Sequence, residues 1–166
     1  WMIINLKNNT SKIFFEYKKD NYLFFILIFL FFSQIITGAF VSGLDAGKIY
    51  QTWPLMNYSY FPNDLNISTF NDFLNFESHS LVQFYHRNIA YLIVLYVLIL
   101  GYFIYRKRNK RIIKAYFLMF SLILVQVFLG IITLLSDLNI YIASAHQLTS
   151  LLLILSGINL YYCHLK

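Results

Sequence analysis

Four long apolar runs alternate along this chain with short basic or polar breaks and one long mixed loop. The runs fall at about 22–43, 81–105, 112–135 and 140–163. Each is long enough to cross a bilayer as a helix, which takes about 20 apolar residues. The breaks after the second and third runs are short, so successive helices pack antiparallel. The pattern predicts an all-α membrane protein: a four-transmembrane-helix antiparallel bundle over 22–163. Residues 1–21 form a polar, mixed segment before it, 44–80 an outer loop, and 164–166 an inner tail.

Composition and charge agree with this pattern. Of the 166 residues, 59% are hydrophobic and only 12% charged, where a soluble domain runs nearer a quarter charged. The net charge of +6 comes from thirteen basic and seven acidic residues. All the basic residues except Lys48 and Arg87 lie before the first run, around the Arg106–Lys114 break, or at Lys166. Asp45, Asp64, Asp72, Glu77 and Asp137 fall in the other connections. This is the positive-inside pattern, not a nucleic-acid footprint. It puts both termini and the RKRNKR break on the cytoplasmic or matrix side, of a bacterial plasma membrane or a mitochondrial inner membrane. The single cysteine, Cys163, excludes an intrachain disulfide and any Cys-rich metal motif, so redox work must fall to a cofactor. A start on Trp1 leads us to expect a piece of a longer product, with no signal peptide in view.

The outer loop is rich in aromatics, Trp53, Tyr58, Tyr60, Phe61, Phe70, Phe73 and Phe76 among them. A loop of this length in a compact bundle is usually functional, and a cap over an outer pocket is expected. Its last part, 67–78, reads as a short interfacial helix. A faint internal repeat also runs through the bundle. Gln34-Ile-Ile-Thr-Gly38 in the first run matches Gln126-Val-Phe-Leu-Gly130 in the third, and each precedes a helix carrying a histidine near its outer end, His86 or His146. The bundle thus reads as two similar hairpins, and pseudo-twofold packing of such units places sites at their interface.

His86 and His146 are the residues most able to carry chemistry. Both helices enter from the outer side, which puts each imidazole about 8–9 Å inside the apolar boundary at about 1.5 Å per residue. An ionisable group at that depth is costly and usually marks a site. Two neutral imidazoles facing each other across a bundle suit the axial positions of a haem iron; the competing reading is a structural hydrogen bond. Zinc or copper would need further ligands, and Asp45, Glu77, Asp137 and His79 are not in ligand spacing. Gln83 and Gln147 are candidates to orient the histidines. Arg87 is a candidate partner for haem propionates, set against snorkelling to the headgroups, with Lys48 a lesser version. Small residues share stripes with the histidines: Ala90, Val97 and Gly101 beside His86, and Ala143, Ser150 and Gly157 beside His146. They leave room for a flat ring or simply allow close helix contact. His79 and His164 read as interfacial, and Asp45 as a turn residue. No nucleophile–base pair, phosphate loop or carboxylate dyad is evident, so catalytic residues stay unassigned.

Several blocks in order resemble one family. Residues 38–47 (GAFVSGLDAG) and 50–56 (YQTWPLM) resemble the first helix end and following loop in the C-terminal half of haem A synthase. The likeness continues at 81–87 (LVQFYHR), Ala90-Tyr91, 126–135 (QVFLGIITLL) and 143–147 (ASAHQ). The resemblance implies half of an eight-helix architecture, with a b-type haem held by His86 and His146. It implies an oxidoreductase that converts a methyl group of haem O to the formyl group of haem A for cytochrome oxidase assembly. It also implies an N-terminal half that holds the substrate haem, so this chain alone should be incomplete and inactive. Haem O synthase, an electron donor and a second copy are candidate partners besides the lipid bilayer. The absence of outer-loop cysteines resembles the branch without a disulfide there. Two other classes stay open: a b-type cytochrome subunit exchanging electrons with quinone, and a non-catalytic helical module.

Overall fold

A computed structural model describes residues 1–65 and 68–165. Four long helices cross its length: α2 (Tyr22–Gly43), α3 (His79–Arg106), α4 (Lys110–Leu135) and α5 (Ile140–His164), preceded by a short α1 (Met2–Asn8). All four long helices are apolar enough to span a membrane. α2 packs against α3 and α4 against α5, and the two hairpins meet more loosely through α2–α5 and α3–α4. The four-helix membrane bundle expected from the hydrophobic pattern is the observed architecture.

Local chemistry sets the helix ends. Asn109 and Asn139 cap α4 and α5, their side chains accepting the amides of Arg111 at 2.9 Å and Tyr141 at 3.0 Å. Such caps satisfy amides that a helix start leaves orphaned. The α4–α5 turn closes through Asp137 and Leu138, both in the left-handed region. The expected interfacial helix over 67–78 is not an α-helix. A 3-10 turn, Phe70–Leu74, stands in its place, with Asp72 accepting the amides of Ser68 at 2.8 Å and Thr69 at 2.7 Å. Asp, Asn and Ser compete for backbone groups in this way, and the turn ends at Asn75. Ile67, the start of the expected helix, and Lys166 of the inner tail lie outside the described residues.

The buried core occupies the inner half of the bundle. Leu27 and Phe31 of α2 meet Val97 and Leu100 of α3, Met119 of α4 and Leu160 of α5 there. Between helices, the Tyr96 hydroxyl donates to Leu23 O at 2.7 Å and the Tyr116 hydroxyl to Val97 O at 3.2 Å. The N-terminal segment closes the inner end. Lys12 donates to Tyr162 O at 3.1 Å, the Tyr161 hydroxyl donates to Phe14 O at 2.7 Å, and the Trp1 ring packs on Tyr161 and Tyr162. Outward faces carry Phe29, Phe32, Phe117, Phe128 and Leu151, all exposed, as helices solvated by lipid require.

The outer half is different. No residue of α3 between Gln83 and Ile93 is buried, none of α4 beyond Ile123, and none of α5 before Leu153. On α2 only Thr37 is buried beyond Phe31. The bundle is closed below this level and open within it.

Two of the small residues on the expected stripes are already filled. A Cβ at Gly101 would lie 2.2 Å from the Tyr116 hydroxyl, and one at Gly157 would lie 2.8 Å from Phe31 Cε2. In the inner half these glycines serve close helix contact, not a bound ring. Gly101→Ala should therefore expel the Tyr116 ring and break its bond to Val97. Overpacking of this kind costs about 1–3 kcal/mol. We expect a lower Tm for Gly101→Ala in detergent, partly recovered when Tyr116→Leu is added; an unchanged Tm would refute the contact.

Candidate functional site

His86 and His146 occupy matching seats, one per hairpin. The His86 ring lies over Gly38 of α2, where a Cβ would come within 3.1 Å of Cε1 and 3.6 Å of Nδ1. The His146 ring lies over Gly130 of α4 at the same two distances, 3.1 and 3.6 Å. One turn before each glycine stands a glutamine whose amide reaches the ring. Gln34 Nε2 is 3.2 Å from both His86 nitrogens, and Gln126 Nε2 is 3.5 Å from His146 Nε2 and 2.9 Å from His146 O. The two QxxxG segments are therefore one structural device used twice. A side chain at its last position would crowd the imidazole, whose Cε1 a Cβ would approach to 3.1 Å in both hairpins.

The expected orienting residues are not the observed ones. Gln83 is buried but donates to Tyr50 O at 2.9 Å, and Gln147 is exposed. Gln34 and Gln126 fill that role instead. Thr37, which the sequence reading did not single out, brings its hydroxyl to 3.2 Å from His86 Nδ1. In the second hairpin the Thr149 hydroxyl donates to Gln126 Oε1 at 2.5 Å. Two buried polar atoms of the seats have no partner: Gln34 Oε1 and His146 Nδ1.

Arg87 is held by the outer loop, donating to Tyr50 O at 2.8 Å and Leu55 O at 3.3 Å. Lys48 is paired with Asp45 at 2.9 Å, next to a 3-10 turn, Ala46–Lys48. His79 is exposed at the start of α3, and His164 stacks on Phe24 with ring centroids 4.3 Å apart at the inner end. Among the described residues, no three or more His, Cys, Asp or Glu side chains gather into a metal-binding group.

The loop is fastened to the bundle at several points. Gln51 donates to Asp137 at 2.6 Å, and Gly47 packs on Leu138, so the loop touches the α4–α5 turn. The Tyr85 hydroxyl donates to Phe73 O at 2.6 Å. Asp64 receives the hydroxyls of Tyr50 and Ser80, each at 2.5 Å. Tyr50 is the centre of this last cluster, since its carbonyl also accepts from Gln83 and Arg87.

These features define a polytopic helical-bundle protein whose two matching hairpins each seat one histidine at the same level. Comparison with known proteins gives the family. The family described as "Cytochrome oxidase assembly protein" matches residues 1–158. A haem A synthase of Pelagibacter ubique (strain HTCC1062) is 42% identical over 157 residues, covering 94% of this chain and 45% of the relative. One from Wolbachia pipientis wMel is 43% identical over 142 residues, covering 85% of this chain and 38% of the relative. One from Rickettsia massiliae (strain Mtu5) is 42% identical over 130 residues, covering 78% and 38%. The chain belongs to the haem A synthase family of cytochrome oxidase assembly proteins. It spans less than half the length of these relatives. With four spans and bacterial relatives, it is a multi-pass integral protein of the bacterial plasma membrane.

The Asp64 cluster has a defined pH dependence. Burial pushes the Asp64 carboxyl up, but the hydrogen bonds from Ser80 and Tyr50 outweigh it and hold the group below the ordinary carboxylate range. A depressed carboxyl stabilises the folded form above the unfolded value of about 3.9 and ceases to do so as pH falls through its lower folded value. Amides of the loop around Tyr50 should keep their hydrogen-exchange protection between about pH 5 and 8 and lose it in acid. Asp64→Asn should lower that protection at neutral pH. Equal protection in variant and wild type would show that the cluster does not hold the cap.

Proposed function

We propose that this chain is the haem b-binding half of a haem A synthase. His86 and His146 are its axial ligands and haem b its cofactor. The carrying observation is the repeated seat: two half-buried imidazoles at matching positions near the outer ends of α3 and α5, each backed by a glutamine and a glycine of the neighbouring helix, in the band where those helices bury no residue fully. The chemistry of the donor set agrees. Two neutral nitrogens without a third ligand suit a haem iron, whose other four ligands are its own.

Bound haem b would accept and pass single electrons, its potential set by axial ligation and burial. The chain's own residues hold the site. Gln34 and Gln126 orient the rings, Gly38 and Gly130 give them room, and the Tyr50–Asp64–Ser80 cluster fastens the cap above them. Arg87, one residue from His86, would pair with haem carboxylates, and its bonds to the Tyr50 and Leu55 carbonyls would couple the loop to that pairing. The established likeness to haem A synthases favours one reaction above others: oxidation of the haem O methyl group to the formyl group of haem A. In that reaction this half serves electron transfer, and an N-terminal half supplies the site for haem O. An electron donor and haem O synthase are its further partners, and the chain alone is inactive.

A reduced-minus-oxidised spectrum of the detergent-purified chain tests this. The wild type should show a six-coordinate low-spin b-type signal. His86→Ala and His146→Ala should each lose it, and His79→Ala should keep it. The same signal in all four proteins would sink the assignment. Cells lacking the gene should lack haem A; if they keep it, a quinone-linked cytochrome subunit becomes the better reading.

A further inference from the structure

We propose that the two histidines are unequal ligands: Thr37 makes His86 the retained one and leaves His146 the exchangeable one. The proposal rests on the haem b reading above and concerns how the chain's own residues prepare each ring.

The hairpins match residue for residue at Gln34 and Gln126 and at Gly38 and Gly130. They differ between these positions, where Thr37 in the first hairpin faces Leu129 in the second. Thr37 is buried, and its hydroxyl hydrogen is committed backwards along α2, within 3.1 Å of both Ser33 O and Gln34 O. The hydroxyl therefore meets His86 Nδ1, 3.2 Å away, with a lone pair. That arrangement accepts an Nδ1–H and fixes the tautomer with its lone pair on Nε2, which the Gln34 amide faces at 3.2 Å and which a metal would take over from it. In the second hairpin Leu129 offers no such acceptor. In that seat the Thr149 hydroxyl is spent on Gln126 Oε1 at 2.5 Å. His146 Nδ1 is left buried without a partner. One hairpin fixes its histidine; the other fixes its glutamine.

Metal-bound histidines almost always donate their second N–H, and losing that partner typically costs tenfold to a hundredfold in metal affinity. His86 has the partner and His146 lacks it. The second ligand should therefore leave first and exchange with added ligands.

The test loads detergent-purified full chain with haem and reads haem content and spin state. His86→Ala should retain about tenfold less haem than His146→Ala. The haem kept by His146→Ala should be high-spin and return to low-spin when imidazole is added. Thr37→Val should speed haem loss about tenfold, and Thr37→Ser should restore it. Leu129→Thr moves the hydroxyl to the matching place on α4, so it should raise haem retention in the His86→Ala background, which a merely structural role of Thr37 would not do. This last variant decides the matter if Thr37→Val does not fold. A low-spin wild type whose two alanine variants lose haem equally, or in the reverse order, overturns the proposal alone, as does a Leu129→Thr variant without gain. A wild type that takes up no haem overturns the haem reading and the proposal together.

Discussion

An imidazole inside a bilayer must look for hydrogen-bond partners within the protein, and in this chain the groups that reach each histidine come from its own hairpin. Water is absent from the hydrocarbon region, so an unsatisfied polar group there is expensive. The chain meets this constraint with a glutamine one turn from a glycine. The glycine lets the ring approach the backbone of α2 or α4, and the glutamine amide then reaches it. The rest of the outer half follows from that contact. A helix that must leave space for a ring cannot also bring a large side chain to the same place, so the buried core withdraws to the inner half. There the glycines are free for ordinary contact, and Tyr116 and Phe31 fill them.

The outer loop adds a second layer to the same arrangement. It is not packed as a hydrophobic lid, since Tyr58, Phe70 and Phe73 are exposed. It is held instead by a few polar fastenings, and the strongest cluster meets α3 beside the histidine. Tyr50 joins them: its hydroxyl is bound by Asp64, and its carbonyl takes Gln83 and Arg87. A charged carboxylate accepting two hydroxyls is a stronger fastening than neutral pairs would be. Positions 83 and 87 flank His86 on one helical face, so a fault in the cap would reach the seat through one carbonyl.

Much of this was legible in the sequence. The four spans follow from run length, and His86 and His146 stand out as ionisable residues in apolar runs. The repeat was visible as Gln34–Gly38 and Gln126–Gly130, but its purpose was not. Spacing along one helix says which residues share a face; it does not say which side chain on the next helix they meet. For that reason Gln83 and Gln147, close to the histidines in sequence, looked like their partners, whereas the true partners lie across the hairpin. Thr37 and Asp64 were invisible for the same reason, since each acts through residues 49 and 16 positions away. The interfacial helix over 67–78 failed on local chemistry. The side chains of Thr69, Asp72 and Asn75 bind backbone groups themselves and leave only one 3-10 turn.

Two copies of one device need not keep one role. A repeat that binds across its interface puts both copies against one ligand, and selection then acts on the pair, not on each half. Keeping Gln and Gly in both hairpins preserves the seat. Varying the residue just before the glycine changes what meets the second ring nitrogen, a hydroxyl at Thr37 where the second hairpin has only the alkyl side chain of Leu129. A single hydroxyl at Thr37 against an alkyl side chain at Leu129 is thus a small chemical difference with a specific consequence: it breaks the equivalence of the histidines without disturbing the backbone that carries them. The opposite placement of the second hydroxyl, on Thr149 and aimed at glutamine, fits the same logic. In each hairpin a threonine bonds to a different member of the Gln–His pair, Thr37 to His86 and Thr149 to Gln126. The asymmetry is therefore built into the seats, not left over from imperfect duplication.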